Sequence, residues 1–310
     1  MIGAVDIGGT KIAVGIVNEK GRVLAREECP SDVARGFEHA MQRAARLLRD
    51  CGKRAGEKIE GIGIGSAGPV DPETGRLGNV NNLPGWEDGN PVQFFSREFG
   101  VPAALENDAD AAALGEVRWG ASRAKTRFLY VTVGTGIGVS VILDGRLYRG
   151  VAGCHPEIGH HILDPAGPHC TCGARGCWET LAAGPAMGAW YAENAAATNG
   201  RKLTGKEICE LAKSGDKCAR RAVEREGYYL GLGLANLITS FAPESIVLGG
   251  SVMKSAPLFL DHARDVIREN CRLVPLESVE IALASLGGDV ALIGAAEVWN
   301  HRFERTPQGR

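Results

Sequence analysis

The sequence lacks both a secretion signal and a membrane-length apolar run. Its first residues, Met-Ile-Gly-Ala-Val-Asp, contain neither the basic region nor the long apolar stretch of a signal peptide. No apolar stretch elsewhere approaches the roughly 20 residues that cross a bilayer. Neither sign of charge is in large excess, since the formal net charge is −2. We therefore expect neither a nucleic acid nor a membrane surface as a partner.

A disulfide framework is also missing. The nine cysteines are odd in number, and four of them stand alone in the sequence, namely Cys29, Cys51, Cys209 and Cys271. This distribution is typical of free thiols and a metal site in a reducing compartment. The 310 residues, of which 44% are hydrophobic, are enough for two globular domains with cores of their own. These features indicate a soluble, cytoplasmic α/β protein.

Three further cysteines lie close together in the segment from Glu157 to Glu179. With one histidine they form the pattern His-x9-Cys-x-Cys-x4-Cys, made by His160, Cys170, Cys172 and Cys177. Three thiols and an imidazole supply the closed tetrahedral shell of a structural zinc site. The spacing differs from that of common zinc modules. Other imidazoles nearby leave the fourth ligand open, namely His155, His161 and His169.

Two carboxylates bracket this cysteine-rich segment. Glu157 lies three residues before His160, and Glu179 lies two residues after Cys177. A loop tied by a metal holds such side chains in fixed positions without a large core beneath it. Fixed carboxylates suit a ligand rich in hydroxyl groups. The alternative is that both are ordinary surface carboxylates.

A glycine-rich hairpin opens the chain and recurs later. Val5–Val17 reads as a strand, a Gly-Gly-Thr-Lys turn and a second strand, and another strand is predicted at Arg22–Glu27. The turn is not a Walker A loop, but its N–H groups, with Thr10 and Lys11, suit a phosphate. The same pattern recurs at Val131–Leu143. The repetition predicts a duplicated domain with two phosphate-binding turns, although a single glycine hairpin is often only a turn.

The remaining segments predict alternating helices and strands. The predicted helices are Phe37–Cys51, Ala109–Trp119, Gly184–Ala197, Gly205–Ser214, Lys217–Phe241 and Ala291–Phe303. The predicted strands are Ile59–Gly65, Val101–Leu105, Ser245–Ser251 and Val279–Ala284. Asp108 stands where a strand passes into a helix, the usual place for ligand contacts in an α/β sheet. Its carboxylate either caps the helix or acts as a base.

Taken together, these motifs resemble the ROK family of sugar kinases and repressors over nearly the whole chain, and its bacterial glucokinases most. The matching motifs are Asp6–Lys11, Gly65–Pro69, Asn82–Trp86, Glu106–Asp108, Gly134–Gly136, Glu157–His160, Cys170–Cys177, Glu179 and Leu286–Gly294. The resemblance implies an actin-like, ribonuclease-H-like ATPase fold with two α/β domains around a central cleft. The N-terminal domain would span residues 1–118, and the C-terminal domain, with the zinc loop, residues 119–290. A closing helix at 291–305 would return to the N-terminal domain.

The resemblance also implies roles for individual residues. Asp108 would be the catalytic base, and Asp6 would hold Mg²⁺ directly or through water. The sugar would contact Asn107, Asp108, Glu157, His160 and Glu179, with Gly68 and Asn82 as further contacts. The phosphates of ATP would lie against Gly8, Gly9, Thr10, Lys11, Gly134, Thr135 and Gly136, and adenosine near Gly249 and Gly250. Structural Zn²⁺ would be bound by His160, Cys170, Cys172 and Cys177.

The implied activity is transfer of a phosphoryl group from ATP to the 6-hydroxyl of a hexose, first of all glucose. N-acetylmannosamine, fructose, allose and N-acetylglucosamine remain open as acceptors, and polyphosphate as donor. A repressor would carry a DNA-binding module ahead of the hairpin that begins at Asp6, so it is not expected. A non-catalytic sugar-binding regulator is a more remote alternative. Relatives are commonly homodimers or homotetramers.

One short stretch departs from the family pattern. The family usually has small residues before the first glutamate of the sugar loop, but this chain has Cys154-His155-Pro156. Proline fixes φ, and His155 adds bulk and a hydrogen-bonding group beside the loop. Our hypothesis is that His155 alters the sugar preference or makes a second contact with the metal loop. The alternative is a harmless substitution in a tolerant loop.

Overall fold

The computed structural model describes residues 1–195 and 203–303. The elements of the first part are β1 (Ile2–Ile7), β2 (Lys11–Val17), β3 (Val23–Pro30), α1 (Phe37–Ala55), β4 (Gly61–Ser66), β5 (Val70–Asp71), β6 (Arg76–Leu77), α2 (Pro91–Phe99), β7 (Ala103–Asn107) and α3 (Asp108–Trp119). Those that follow are β8 (Phe128–Val133), β9 (Ile137–Leu143), β10 (Arg146–Leu147), α4 (Trp178–Ala182), α5 (Gly184–Asn194), α6 (Gly205–Lys213), α7 (Lys217–Phe241), β11 (Ser245–Gly249), α8 (Leu260–Asn270), β12 (Glu280–Leu283) and α9 (Val290–Phe303).

The first sheet has the strand order β3-β2-β1-β4-β7. Strands β1, β2 and β3 pair antiparallel, whereas β4 lies parallel to both β1 and β7. The central strand β1 is buried along most of its length, which its apolar sequence allows. Its two faces are covered differently. One face packs, through Val5 and Ile7, into the larger core with α1, and the other packs, through Ala4, against α9.

The glycines of β4 let α9 approach the sheet closely. A Cβ added at Gly63 would lie 1.8 Å from the carbonyl oxygen of Ala295 on α9, so no other residue fits there. A Cβ added at Gly61 would likewise lie 2.1 Å from Nε1 of the Trp299 ring. The Ile-Gly-Ile-Gly pattern of this strand therefore reflects one face filled by isoleucine and one face left bare for a helix.

The second sheet repeats the order of the first. Its strands run β10-β9-β8-β11-β12, so both sheets read third, second, first, fourth, fifth in chain order. The fourth strand of each sheet is parallel to its two neighbours, as β11 is to β8 and β12. This repetition is what the recurring glycine hairpin predicted. The predicted fold class, an α/β actin-like ATPase of the ribonuclease-H-like type, is confirmed.

The chain forms two compact units, and each unit is built from segments that are not contiguous in the sequence. Unit 1 consists of Met1–Lys125, Ser140–Pro156 and the chain from Ala284 onward, and unit 2 consists of Thr126–Val139 and Glu157–Leu283. The proposed domain limits at residues 118 and 290 stay a prediction. Residues 196 and 197 of one predicted helix, and residues 304 and 305 of the closing helix, lie outside the described residues.

Three of the described helices have no counterpart in the sequence analysis, namely the short α4 and the longer α2 and α8. Helix α2 begins with Pro91 after the Asn90 cap, whose side chain accepts from the Gln93 N–H at 2.8 Å, a recognisable start that we overlooked. Helix α8 buries Leu260, Ala263, Val266 and Ile267, a helical spacing. Strand β3 begins one residue later and ends three residues beyond the predicted Arg22–Glu27. Among the described helices, none has the length and apolar character that crossing a membrane requires.

Candidate functional site

Asp108 stands at the junction of β7 and α3, as the sequence predicts. The helix cap falls to the residue before it, because Asn107 Oδ1 accepts from the Ala109 N–H at 2.9 Å. The same N–H also approaches Asp108 Oδ1 at 2.8 Å. Asp108 is open to solvent. Loss of hydration among the surrounding protein groups nevertheless raises its pKa to about 6, against the opposing effects of the Ala109 N–H and His155.

A second carboxylate, Asp6 on β1, lies close to Asp108. Its register partner on β4 is Gly65, and a Cβ added at Gly65 would lie 3.8 Å from Asp6 Oδ1 and 3.9 Å from Asp108 Cα. Loss of hydration and then the charge of Asp108 raise the pKa of Asp6 to about 7, while Lys11 lowers it. Two neighbouring carboxylates, one of which raises the pKa of the other, suit a divalent cation, and oxygen ligands are those that Mg²⁺ prefers.

The first glycine turn is closed by a hydrogen bond from the Gly8 N–H to the Lys11 carbonyl at 3.0 Å. Gly9 lies so close to Asn82 that an added Cβ would be 2.7 Å from the Asn82 Cβ. Thr10 and Lys11 are exposed, and Lys11 Nζ pairs with Glu28 Oε2 at 2.8 Å. The turn therefore presents its backbone closely packed on one side and its polar side chains on the other.

Gly68 and Asn107, two predicted sugar contacts, lie side by side in unit 1. An added Cβ at Gly68 would be 2.7 Å from Asn107 Nδ2, so a larger residue here would displace the Asn107 amide. With Asn82 against the turn at Gly9, the structure gathers in unit 1 the predicted sugar contacts Gly68, Asn82, Asn107 and Asp108. Their contacts with a sugar remain a prediction.

The second glycine turn, in unit 2, holds Glu179. The Ile137 N–H donates to Glu179 Oε2 at 3.0 Å, and an added Cβ at Gly136 would be 2.3 Å from the same oxygen. The Gly134 N–H donates to the Gly136 carbonyl at 2.9 Å, which closes the turn, and Thr135 is exposed at its tip. A carboxylate predicted to bind sugar is therefore held against a turn predicted to bind phosphate.

Glu157 and His160 lie on a short 3-10 turn in the same unit. The His160 N–H donates to the Glu157 carbonyl at 3.0 Å. Gly159 between them packs on β9 so tightly that an added Cβ would be 1.9 Å from the Ile137 carbonyl oxygen. Since Ile137 also donates to Glu179, this one residue positions both carboxylates that bracket the cysteine segment.

The end of β11 supplies two more close approaches. An added Cβ at Gly249 would be 2.1 Å from the Tyr130 hydroxyl oxygen, and one at Gly250 would be 2.3 Å from the Val133 carbonyl oxygen. Gly250 also has a φ of 93°, which strains any other residue. The structure explains both glycines by packing, and their proposed contact with adenosine remains a prediction.

The cysteine-rich segment brings four ligand atoms together. One atom each from His160, Cys170, Cys172 and Cys177 lies within 4.8 Å of the others. Cys172 Sγ is 3.6 Å from Cys177 Sγ, and Cys170 Sγ is 3.4 Å from His160 Nδ1. Ligands on a tetrahedral zinc with Zn–S bonds of about 2.3 Å are roughly 3.8 Å apart. The donor set and its spacing therefore fit Zn²⁺.

The three other imidazoles in or near this segment have different partners. His161 Nδ1 contacts the Ile158 carbonyl at 2.6 Å, and His169 Nε2 contacts Arg175 at 2.9 Å. His155 Nδ1 contacts Asp110 Oδ2 at 2.9 Å in unit 1. Among the described residues, His160 is the imidazole that joins the three thiols, which answers the question that spacing left open.

A buried charge cluster beside Asp108 was not predicted from the sequence. It consists of Glu106, Asp110, Arg149 and His155, all in unit 1. A cavity of about 310 Å³ lies next to it, also lined by His301 and by Arg302, which pairs with Glu73 at 2.7 Å. No sequence signal joins Asp110 to residues some 40 positions away, because that contact depends on the tertiary fold.

Known proteins give a consistent comparison. The chain matches the ROK family over residues 2–302. It is 30% identical to the glucokinase of Thermotoga maritima over 96% of its own length and 97% of that protein. It is 34% identical to the xylose repressor of Bacillus spizizenii over 78% of its own length, which spans 62% of the repressor.

A solved structure extends the comparison to the fold. The ROK family glucokinase of Streptomyces griseus, determined in complex with glucose and AMPPNP, superposes with a TM-score of 0.82. It is 32% identical, over 96% of this chain and 98% of that one. With the family match over nearly its whole length, the chain belongs to the ROK family.

Proposed function

We propose that the chain is an ATP-dependent hexose kinase that phosphorylates the 6-hydroxyl of its sugar, with glucose as the preferred acceptor. The observation that carries this proposal is Asp108, an accessible carboxylate with a pKa of about 6 beside Asp6 and the first glycine turn. The similarity to glucokinases, one of them solved with glucose and an ATP analogue, supports the same activity.

Asp108 acts as the base. With a pKa of about 6 it is mostly ionised at neutral pH, yet basic enough to take a proton from a hydroxyl as the new bond forms. The sugar 6-oxygen attacks the γ-phosphorus, its proton passes to Asp108, and ADP leaves. Such a transfer depends mainly on alignment and on stabilising the charge of the phosphoryl oxygens.

The glycine turns and Asp6 serve the nucleotide. In this proposal the turns Gly8–Lys11 and Gly134–Gly136 face the phosphates, and Gly249 and Gly250 lie near adenosine. Asp6 holds Mg²⁺, directly or through water. A bound Mg²⁺ supplies positive charge that offsets the charge of the phosphates.

Zinc has a structural part in this proposal. A cation held by His160, Cys170, Cys172 and Cys177 has a full shell of protein ligands and no position open for substrate. A bound cation would hold in place the ends of the segment that carries Glu157, His160 and Glu179, and in this proposal these three residues bind sugar hydroxyls. Metal binding would stabilise this loop in the way that a small hydrophobic core stabilises other segments.

A second candidate is a sugar-binding regulator without catalysis. The similarity to the xylose repressor favours it, since that protein shares 34% identity over 78% of this chain. Both candidates bind a sugar, and they differ in whether the phosphoryl group is transferred. Cytoplasmic location and a homodimeric or homotetrameric state stay predictions.

The decisive experiment is a coupled ADP-release assay with ATP and Mg²⁺ against a panel of hexoses. Asp108→Asn is the test variant, and Asp50→Asn is its matched control, because Asp50 is an exposed aspartate on α1 of the same unit. We expect glucose-dependent turnover that Asp108→Asn lowers by about 10³-fold or more while Asp50→Asn leaves it unchanged.

Two other results would change the proposal. If another hexose gave the highest kcat/KM, the kinase would stand and glucose would be replaced. If no hexose gave turnover while calorimetry detected sugar binding, the regulator would be the better description.

A further inference from the structure

Asp110 lies in the first turn of α3, two residues after the proposed base, and its side chain is only 1% exposed. Its Oδ2 accepts from Arg149 Nη1 at 2.5 Å and contacts His155 Nδ1 at 2.9 Å. Arg149 also donates to Glu106 through its other terminal nitrogen. The side chain of His155 is 10% exposed, so its contact with Asp110 is shielded from solvent.

The partners of Asp110 keep this buried carboxylate ionised. Burial acts to raise its pKa, but the His155 hydrogen bond and charge, together with Arg149, hold the pKa below its ordinary value. A buried carboxylate needs such partners, because an unpaired one is costly. Since Arg149 alone still pairs with Asp110, loss of the imidazole removes one contact without leaving the carboxylate unpaired.

The contact fixes a short piece of chain that leads to the sugar loop. His155 is followed by Pro156, the last residue of unit 1, and then by Glu157. Proline has a fixed φ near −65° and restricts the residue before it, so few free torsions separate the anchored imidazole from Glu157. The proposed base is likewise two residues from Asp110. One hydrogen bond thus anchors the residue that lies two positions before Glu157.

We propose that His155 is a positioning residue that sets the affinity for the hexose. By holding onto Asp110 it fixes the backbone from which Glu157 starts, and so the place where this carboxylate meets sugar hydroxyls. The inference rests on the proposed function, in which Glu157 binds sugar. It gives His155-Pro156, which differ from the family pattern, a role in sugar binding.

The test compares His155→Ala and His155→Asn with the wild type and with His262→Ala, an exposed histidine of α8. We expect His155→Ala to raise the KM for the hexose by about tenfold, the effect of losing one hydrogen bond to a charged group. The KM for ATP should not change, and kcat should change less than about threefold. Asparagine places an amide N–H near the position of Nδ1, so His155→Asn should restore most of the affinity.

The readouts separate positioning from a purely structural role. A structural role would lower the Tm and the active fraction, and so the apparent kcat, without a selective rise in the hexose KM. An unchanged hexose KM in His155→Ala, an equal rise in both KM values, or no recovery in His155→Asn would each overturn the inference. Absence of turnover in the wild type would refute the proposed function itself, and this inference with it.

Discussion

The two sheets of the molecule share one strand order but not one chemistry. Asp6 on β1 lies two residues before Gly8 and is paired in register with Gly65 on the fourth strand. In the second sheet Thr132 lies two residues before Gly134 and is paired with Gly249 on the fourth strand. Both side chains are half-buried, yet only the first can carry charge. The repeated scaffold therefore supplies a position, and the residue placed there decides what the position does.

Two buried glutamates, one in each unit, differ in whether they have hydrogen-bond partners. Glu116 on α3 accepts from the N–H groups of Ala121, Ser285 and Leu286, at 2.7, 3.0 and 3.1 Å. Glu226 on α7 is just as buried, but neither of its carboxylate oxygens has a hydrogen-bond partner among the described residues. Glu116 thus joins separate segments of unit 1 through hydrogen bonds, whereas Glu226 is a buried polar group without such bonds in unit 2.

The largest effect is expected when the first sheet is made to resemble the second. Asp6→Thr copies Thr132 and removes the carboxylate proposed to hold Mg²⁺. We expect kcat to fall by about 10²- to 10³-fold, as when one group that stabilises developing charge is lost. Steady-state kinetics over a range of Mg²⁺ concentrations, with hexose binding by calorimetry as the control, check this. A kcat within threefold of wild type would remove Asp6 from the proposed mechanism.

Removal of the Glu116 carboxylate in unit 1 should have the next largest effect, which is a loss of stability. Glu116→Ala leaves three part-buried N–H groups without their acceptor, and we expect a loss of about 3 kcal/mol in the free energy of unfolding. Urea unfolding measures it, with Glu57→Ala, an exposed glutamate of the same unit, as control. Equal stability of the two variants would show that the donors find other partners.

In the proposed function the cysteine loop fixes the carboxylates of unit 2, so a change in the loop should weaken sugar binding. We expect Cys172→Ser to lower the zinc content and to raise the hexose KM by about 10- to 100-fold, the usual cost of disturbing residues that orient a site. Cys218→Ser, outside the cluster but in the same unit, is the matched control. Metal analysis and kinetics of the two variants make the comparison. A zinc-free Cys172→Ser variant with normal hexose KM would separate the loop from the sugar.

The smallest effect is a gain in stability at Glu226. Burial raises the pKa of this carboxyl well above its ordinary value, so the folded chain binds a proton that the unfolded chain releases above about pH 4.5. This group therefore makes folding less favourable as pH rises. We expect Glu226→Gln to be more stable than wild type by about 1–2 kcal/mol at pH 8, with the advantage shrinking toward pH 4.5.

Thermal and urea unfolding at several pH values check this prediction, with Glu224→Gln, an exposed neighbour on the same helix, as control. An advantage that did not depend on pH would mean that the gain comes from packing rather than from ionisation.

Sequence alone was most reliable where a local pattern has one physical meaning. The glycine hairpins, the strand-to-helix junction at Asp108 and the cluster of three thiols were found from spacing, and the structure has each of them. Spacing left open which imidazole joins the thiols. The cluster of Asp110, Arg149 and His155 was out of reach, because its members meet only through the fold. Glu116 and Glu226 have the same type of side chain on a helix, and nothing in their flanking sequence tells which one has partners.

The order in which the chain is made gives the close packing of α9 on β1 and β4 a further consequence. Strand β4 ends at Ser66, but the helix that covers one face of its sheet, α9, begins at Val290 and is therefore synthesised much later. At ordinary rates of translation the bare face, with the glycines of β4, waits on the order of tens of seconds for its cover. The nascent chain therefore exposes this face of the sheet until α9 has been made, and a premature stop before residue 290 leaves the face uncovered.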